Sequence, residues 1–234
     1  MGNIIYNKKL TEEYYLMKVE QQNNGKMGQF YMLRAWDNEP LLSRPLSIFD
    51  RDNSSITFLY RVIGKGTKIM SDLKAGDNIV CQGPYGSSFP EVRGKIAMVG
   101  GGIGIAPLYL ASKELKKDSD NRVDIFFSLR GVEILREELS SVSDNLILKT
   151  NERVVNLIDP DEYDYIFTCG PEGLMKDVYM NSKGKKAIVY VSMERRMGCG
   201  IGICYGCTCK TKSGNKLVCK DGSVFLGSEV FADE

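Results

Sequence analysis

Four cysteines near the C-terminal end of the chain have the residue type and spacing of ligands for a metal cluster. They are Cys199, Cys204, Cys207 and Cys219, which form a C-x4-C-x2-C-x11-C pattern. The first three reproduce the spacing of plant-type [2Fe–2S] sites, in which four thiolates hold two iron atoms. Glycines stand between these cysteines, and they let the backbone bend closely around a cluster and direct N–H groups at its sulfur atoms. The pattern predicts a [2Fe–2S] cluster held by these four thiols.

A structural zinc site is the alternative for the same cysteines. Zinc is also held by four thiolates, but zinc modules favour two separated C-x2-C pairs, and only Cys204 and Cys207 form one. The spacing therefore favours the iron–sulfur cluster. Cys209 does not fit the spacing and is predicted to be a spare buried thiol, and Cys81 is predicted to lie in a core.

The composition excludes several classes of catalyst and partner. The 234 residues contain no histidine, which rules out Ser-His-Asp and Cys-His catalysis, histidine-bound zinc and Rieske clusters. Lys and Arg number 31 against 30 Asp and Glu, so no overall field attracts nucleic acid or an anionic membrane. The longest uncharged run, 96–112, is broken by glycines and a proline and is too short to span a bilayer. We expect neither a nucleic-acid nor a membrane partner.

The start of the chain and its cysteine count indicate a compartment. No basic segment followed by an apolar stretch opens the sequence, so no export signal is predicted. The seven cysteines, an odd number, are then expected to be thiols or metal ligands rather than disulfides. These features predict a cytoplasmic protein.

Two segments in the first 90 residues have groups that could bind a flavin nucleotide. The first is Arg44, Pro45, Leu46 and Ser47; the second is Leu59, Tyr60 and Arg61, followed by Gly66 and Thr67 at the start of a short helix. Together they offer positive charge and helix N–H groups for a diphosphate and a small hydroxyl beside the ring. The alternative is that the two arginines are surface charges and the glycines form a plain turn. The nearby cluster motif favours the flavin interpretation.

A glycine-rich turn predicts a second nucleotide site. Gly100, Gly101, Gly102 and Gly104 lie between a predicted strand and a helix with Pro107 in its first turn. This order places a pyrophosphate at a helix N-terminus. Pro107 occupies the third glycine position of G-x-G-x-x-G, so the ordinary Rossmann fingerprint is not matched. Close packing of the strand end is the alternative reason for these glycines.

Cys169 ends a later predicted strand and could line a nicotinamide pocket. Gly170 and Pro171 follow it, and ligands of open α/β sheets bind at the C-terminal edge of the strands. The alternative is a buried strand thiol without a role in the reaction. The choice between NAD and NADP stays open, because Arg130 could meet a 2′-phosphate and Glu133 could meet a ribose hydroxyl.

Changes of pattern divide the chain into three predicted domains with a multidomain α+β fold. Residues 1–92 alternate apolar and polar positions between turn-rich breaks, which predicts an antiparallel β-barrel that binds the flavin. Residues 93–192 alternate apolar strands with amphipathic helices, which predicts an α/β nucleotide domain with a parallel sheet. Residues 193–234, rich in Cys and Gly, form a small predicted [2Fe–2S] module.

The order of these motifs resembles the ferredoxin–NADP reductase superfamily over about residues 5–192. The matching segments are the Arg-x-x-Ser of 44–47, the Gly-Gly-x-Gly-Ile-Ala-Pro of 101–107 and the Cys-Gly-Pro of 169–171. Leu46 departs from the superfamily, which commonly has an aromatic residue before the serine. The stretch 193–225 is similar to the electron-transfer subunits of class 1B dihydroorotate dehydrogenases, and that resemblance extends over essentially the whole chain.

The resemblance implies a set of cofactors and a partner. It implies FAD on the segments 44–47, 59–61 and 66–67, a cluster on the four cysteines, and NAD as an exchangeable substrate. It also implies a catalytic partner subunit that carries FMN and oxidises dihydroorotate, in a heterotetramer of two plus two subunits. Two rival functions are the small subunit of an NAD(P)H:ferredoxin or hydrogenase-type complex and a non-enzymatic iron–sulfur redox sensor. The apolar residues Ile201, Ile203 and Tyr205 are the predicted docking surface, unless they pack inside their own module.

Overall fold

The N-terminal third of the chain is a closed antiparallel barrel. The structure is a computed structural model, and it describes residues 1–22 and 24–231. The barrel strands are β1 (Gly2–Lys9), β2 (Tyr14–Glu20), β3 (Phe30–Arg34), β4 (Arg44–Arg51), β5 (Ser55–Arg61) and β6 (Asn78–Tyr85), and they close in the order β1-β2-β5-β4-β3-β6. Met17, Tyr31 and Phe58 fill the interior and are at most 1% exposed. The predicted barrel is confirmed. The sequence pattern missed β1, the full extent of β4 and the last three residues of β6.

The short helix α1 (Lys65–Asp72) interrupts the barrel between β5 and β6. It begins two residues before the predicted start at Thr67, because Thr67 supplies its cap. The Thr67 hydroxyl accepts the N–H of Ile63 at 2.9 Å and the N–H of Gly64 at 3.2 Å. These bonds satisfy donors that a helix start otherwise leaves without acceptors.

The central domain is a mostly parallel sheet, as the sequence predicts. Its parallel strands are β7 (Lys95–Gly101), β8 (Arg122–Leu129), β9 (Asn145–Thr150), β10 (Tyr165–Cys169) and β11 (Ile188–Ser192), and its helices are α2 (Ile105–Leu115), α3 (Arg136–Ser141) and α4 (Glu172–Ser182). The glycine-rich turn and Cys169 both lie at the C-terminal ends of neighbouring strands, since β7 pairs with β10. Among the described residues, no helix combines the length and apolar character that crossing a bilayer requires.

The cysteine-rich segment is joined to the central sheet. It contains the two-stranded ladder of β12 (Thr208–Thr211) and β13 (Gly214–Leu217), then β14 (Val224–Leu226) and the short helix α5 (Gly227–Val230). β14 pairs antiparallel with β11, with Phe225 opposite Val191. The last part of the predicted cluster module therefore adds the sixth strand to the nucleotide sheet. The domain boundaries at 92/93 and 192/193 remain predictions.

Direct contacts hold the three parts against one another. The rings of Phe49 on β4 and Tyr109 on α2 stack at 4.1 Å, and Lys113 of α2 bonds to Asp50 of β4 at 2.6 Å. On the other side, the Ser223 hydroxyl donates to the carbonyl of Gly28 in the barrel at 2.7 Å. These contacts bring β4, the glycine-rich turn and the cysteine-rich segment to one cleft.

Candidate cofactor and iron–sulfur site

Residues from all three parts of the chain line one central cleft. Its walls include Pro45, Leu46 and Ser47 of β4, Leu59 of β5, Gly104 and Pro107 of the glycine-rich turn, Cys169 of β10, and Glu194 and Met197 beyond β11. Three motifs that are far apart in the sequence therefore meet at one cleft. A flavin that exchanges electrons with both a nicotinamide and a cluster requires such a meeting point. The walls are largely apolar, with a few polar groups of Ser47, Cys169 and Glu194, which is the character of a cofactor pocket.

Arg44 and Gly66 form a second part of this site, beside the cleft. The Arg44 guanidinium lies 5.3 Å from the centre of the Trp36 ring. A Cβ at Gly66 would come within 2.8 Å of that guanidinium, so only glycine lets the first turn of α1 approach it this closely. A cation and the N–H groups of a helix start are thereby brought together, and both are ligands for a diphosphate. The residues fit the implied flavin dinucleotide.

Tyr60 and Arg61 lie apart from the central cleft. The Tyr60 hydroxyl donates to Oδ1 of Asn7 at 3.0 Å, and its ring stacks on Tyr15 at 5.6 Å. Arg61 is exposed and donates to a carboxylate oxygen of Glu13 at 2.7 Å. The structure thus brings Leu59 to the cleft and directs the side chains of its two neighbours elsewhere, so a flavin role for Tyr60 and Arg61 remains a prediction.

A second cleft opens at the C-terminal edge of the parallel sheet. It is lined by Tyr14, Arg61, Gly101, Gly102, Ser128, Arg130, Asn151, Glu152, Arg153, Pro171, Gly173 and Asp177, among others. Gly102 has a φ of +57°, a conformation that favours glycine. The position fits a pyridine nucleotide, because its walls are the turn after β7, the end of β8 and the start of α4.

The glycines of the turn have two different roles in this arrangement. Gly101 and Gly102 face the second cleft. Gly100 packs against Ile105 and Leu108, and a Cβ at Gly104 would come within 2.2 Å of the carbonyl oxygen of Cys169. Close packing, one of the two interpretations of the motif, therefore applies to Gly100 and Gly104, although Gly104 also borders the central cleft.

Arg130 differs from the other cations of the second cleft in its ion pairing. Arg153 pairs with Asp177 at 3.2 Å and Arg61 with Glu13 at 2.7 Å. Among the residues that the structure describes, Arg130 is the cation of this cleft without an ion pair. Glu133 does not line the cleft; it pairs with Arg136, which lowers the pKa of the Glu133 carboxyl. Of the two residues that left the choice of nucleotide open, only Arg130 lies at the cleft.

The four predicted ligand thiols are brought together in the cysteine-rich segment. The sulfur atoms of Cys207 and Cys219 are 3.2 Å apart and buried. Cys199 and Cys204 lie nearer the surface, and the backbone N–H of Cys204 donates to the Cys199 sulfur at 3.4 Å. No three His, Cys, Asp or Glu side chains in the described part of the chain have the geometry for one metal ion. A two-iron cluster does not need such a group, because each iron takes two of the four thiolates.

The backbone around Cys199 favours a thiolate. Its sulfur also accepts N–H groups of Ile203 at 3.3 Å and Ile201 at 3.5 Å. The N–H groups of Cys204 and Ile201 lower the pKa of the Cys199 thiol to about 6. Gly200 and Gly202 have φ values of +74° and +81°, which let the loop turn around this sulfur. Donors directed at sulfur in a glycine-rich loop fit a bound iron–sulfur cluster.

Cys169 and Glu194 meet at the central cleft, and only Cys169 was among the predicted site residues. Burial raises the pKa of the Cys169 thiol to about 12, and the charge of Glu194 adds to this effect. Cys169 is therefore a protonated thiol at neutral pH. Glu194 follows β11 by two residues, so the rule that ligands bind at the C-terminal ends of parallel strands could have identified it.

Comparison with known proteins gives this arrangement a family. The iron–sulfur cluster binding domain of dihydroorotate dehydrogenase B matches residues 194–231. The NAD(+) dihydroorotate dehydrogenase B electron transfer subunit of Clostridium acetobutylicum is 43% identical, over 97% of this chain and 95% of its own length. That of Clostridium perfringens is 38% identical, over 98% of this chain and 96% of its own length.

Solved structures agree with the sequence comparison. An NADH-dependent reduced ferredoxin–NADP oxidoreductase superposes with a TM-score of 0.87 at 25% identity, covering 100% of this chain and 94% of that one. A ferredoxin–NADP+ reductase from Neisseria gonorrhoeae, solved with FAD and NADP, shares the fold with a TM-score of 0.67 at 15% identity, covering 82% of this chain and 98% of that one. The identity, coverage and cluster domain together show that the chain belongs to the family of electron transfer subunits of NAD(+)-dependent dihydroorotate dehydrogenase B.

Proposed function

We propose that this chain transfers electrons between NAD and a catalytic dihydroorotate dehydrogenase subunit, with FAD in the central cleft and a [2Fe–2S] cluster on the four thiols. When bound, FAD exchanges a hydride with nicotinamide and single electrons with an iron–sulfur cluster, so the chain connects two-electron and one-electron chemistry. The observation that carries the proposal is the meeting of β4, the glycine-rich turn, Cys169 and Met197 at one cleft. The first two belong to the flavin and nucleotide motifs, and Met197 immediately precedes the cluster loop.

The residues of the clefts have separate tasks in this proposal. Pro45, Leu46 and Leu59 provide apolar walls that keep water from the flavin ring, and Ser47 offers it a hydroxyl. Arg44 holds the diphosphate together with the start of α1. Gly101 and Gly102 leave room for the pyrophosphate of NAD. Arg130 faces the adenosine end of the nucleotide.

Cys169 closes the nicotinamide pocket as a neutral group. Its thiol stays protonated because of burial, so it takes part in neither nucleophilic nor thiolate chemistry at neutral pH. Together with Glu194 it would form the wall of the cleft against which a nicotinamide is held. Both are positioned by strand ends of a rigid sheet.

Oxidation of dihydroorotate belongs to the partner, which we propose to carry FMN and to form a heterotetramer of two plus two subunits. The two clefts described here are lined by the flavin and nucleotide motifs, and neither is assigned to an organic substrate. Ile201, Ile203 and Tyr205 are 48%, 71% and 70% exposed and surround the Cys199 and Cys204 ligands. They do not pack inside their own module, which supports this loop as the docking surface for the partner.

The seven cysteines support the expected compartment. All are free thiols in the structure, as expected of a chain in the reducing cytoplasm. We therefore assign the chain to the cytoplasm.

Two assays test the function and separate it from its rivals. We expect NADH oxidation with an artificial dye by the isolated chain, and dihydroorotate-dependent reduction of NAD only after the catalytic subunit is added. A redox sensor would show neither activity at a useful rate. An NADH-dependent reduced ferredoxin–NADP oxidoreductase shares the fold. The rival, a small subunit of a ferredoxin-linked complex, would gain no dihydroorotate activity on mixing, and that outcome would overturn the proposal.

The flavin site has its own test. Arg44→Ala removes a charge-assisted hydrogen bond to the diphosphate, worth on the order of 1.5–3 kcal/mol, so FAD occupancy of the purified chain should fall sharply. Flavin released by heat and identified by chromatography measures it. Unchanged occupancy would remove Arg44 from the site, and release of FMN would contradict FAD.

A further inference from the structure

The loop between β3 and β4 is held in shape by a single arginine. Nε of Arg34 donates to the carbonyl of Trp36 at 2.8 Å, and Nη1 donates to that of Leu41 at 2.7 Å. Nη2 also donates to the carbonyls of Asp37 and Asn38. Arg34, the last residue of β3, thus directs its donors at the backbone of the loop that follows it. The loop is thereby tied to the end of a barrel strand.

Trp36, the only tryptophan of the sequence, has two guanidinium groups near its ring. The guanidinium carbons of Arg34 and Arg44 are 5.9 Å and 5.3 Å from its ring centre. Its indole N–H donates to the carbonyl of Pro40, so the ring cannot turn freely. Arg34 holds the loop by hydrogen bonds, and the loop holds the indole ring through Pro40. The ring is therefore a rigid support for the Arg44 guanidinium.

Arg44 is oriented by this support and has donors left over. Among the described contacts, it donates one side-chain hydrogen bond, to the carbonyl of Leu42, of the five N–H groups that a guanidinium carries. A Cβ at Gly66 would meet the Trp36 ring and the Arg44 guanidinium, each at 2.8 Å. Ring, guanidinium and helix start are therefore close neighbours, and the Arg44 guanidinium lies against Gly66 in the first turn of α1.

We infer that Trp36 is a positioning residue for FAD, which acts by holding the Arg44 guanidinium against the start of α1 for the diphosphate. The inference rests on the proposed flavin site. A guanidinium stacked on a ring keeps its plane without losing its charge, and a group ordered in advance loses less entropy when the ligand arrives. Trp36 itself does not line the central cleft, so the effect we propose reaches the flavin through Arg44.

Flavin binding by the full chain after removal of its flavin tests this role. Trp36→Leu should weaken FAD binding by about two- to fivefold, the effect of losing an exposed cation–π contact, and Trp36→Phe should retain part of it. Riboflavin, which has no phosphate, should bind the wild-type chain and both variants equally. Trp36→Leu should add no further loss in the Arg44→Ala background. Leu41→Ala is the matched control, because its exposed side chain is in the same loop and Arg34 bonds only its carbonyl.

The outcomes separate this role from others. An equal loss of FAD and riboflavin would show that Trp36 only supports the barrel, and additive losses with Arg44→Ala would show that it does not act through Arg44. Unchanged FAD binding in Trp36→Leu would also overturn the inference. The visible absorption of the cluster reports folding; if Trp36→Leu does not fold, Trp36→Phe alone and with Arg44→Ala gives the same comparison. Failure of the wild-type chain to bind FAD would instead overturn the proposed function.

Discussion

The barrel and the cysteine-rich segment hold their functional residues by different physical means. In the barrel, every strand is paired on both sides, and residues such as Met17 and Phe58 are fully buried. Between 193 and 223 the regular structure is limited to the ladder of β12 and β13, and the four thiols lie in turns around it. The flavin site is thus formed by burial and hydrogen bonding, whereas the cluster site depends on its ligand. Metal binding and folding are coupled in segments of the second kind.

Removing two cluster ligands should have the largest effect, because it disables the cysteine-rich segment and leaves the barrel unchanged in sequence. Cys204→Ser together with Cys207→Ser should abolish the cluster and the dihydroorotate-dependent reduction of NAD, because single electrons lose their route to the partner. NADH oxidation with a dye should persist in the chains that stay folded, since neither cleft is lined by these two thiols. Iron analysis and EPR of the dithionite-reduced chain measure the first effect. A normal cluster signal in this variant, or zinc without iron in the wild-type chain, would contradict the assignment.

Charged residues on the exposed loop should separate docking from internal function. Ile201→Asp and Tyr205→Asp should each weaken association with the catalytic subunit by about tenfold or more, the range of an interface hot spot. Coupled activity should fall with association, while dye reduction stays the same. Val132→Asp is the control, because Val132 is 71% exposed and lies in the nucleotide domain. Full co-purification of both loop variants would exclude this surface.

A pair of glycine substitutions should show how tightly the rigid region is packed. Gly104→Ala places a methyl group within 2.2 Å of a backbone oxygen, although its φ of −60° suits any residue. Such overpacking costs about 1–3 kcal/mol of unfolding free energy. Gly173→Ala, in α4 with nothing near its Cβ, should be neutral or slightly stabilising. Urea titration measures the unfolding free energy of both variants. Equal values would show that the ends of β7 and β10 can move apart to admit the methyl group.

The smallest effect concerns the pH dependence of stability. The pKa of Cys169 is raised from 9.0 to about 12 by burial, so the folded chain keeps this proton longer than the unfolded chain. Its contribution is complete below pH 9 and is lost as the pH rises toward 12. Cys169→Ala should therefore lose less unfolding free energy than the wild-type chain, by about 1 kcal/mol between pH 9 and pH 10. Parallel declines of the two proteins in that range would show that the thiol is not shielded.

The sequence predicted those parts of the site that are encoded by local patterns. Alternating residues indicated the barrel, and strand β10 was predicted with its observed bounds of Tyr165–Cys169. The cysteine spacing predicted an iron–sulfur cluster, and the match of residues 194–231 to an iron–sulfur cluster binding domain confirms that prediction. The nucleotide edge at the glycine-rich turn stays a prediction. The barrel and cluster predictions succeed because periodicity and ligand spacing are properties of short segments.

The rest depends on contacts between distant segments. Gly104 has a φ that any residue adopts, and it needs to be glycine because the carbonyl of Cys169 lies against it. No local pattern records that neighbour. The proposed role of Trp36 requires the guanidinium groups of Arg34 and Arg44 near its ring. Tyr60 belongs to a flavin motif by sequence, yet Asn7, 53 residues away, takes its hydroxyl. In each case, residues distant in the sequence determine the role of the side chain.

The pairing of β14 with β11 links protection from aggregation to the supply of iron. β14 follows the last cluster ligand by only a few residues. It pairs with β11 and thereby covers the edge of the five parallel strands. A chain that had not acquired its cluster would hold this strand less firmly, and the uncovered edge of β11 would offer unpaired N–H and C=O groups to other chains. Under iron limitation, incomplete subunits would then be removed by self-association or proteolysis before they could occupy a catalytic partner.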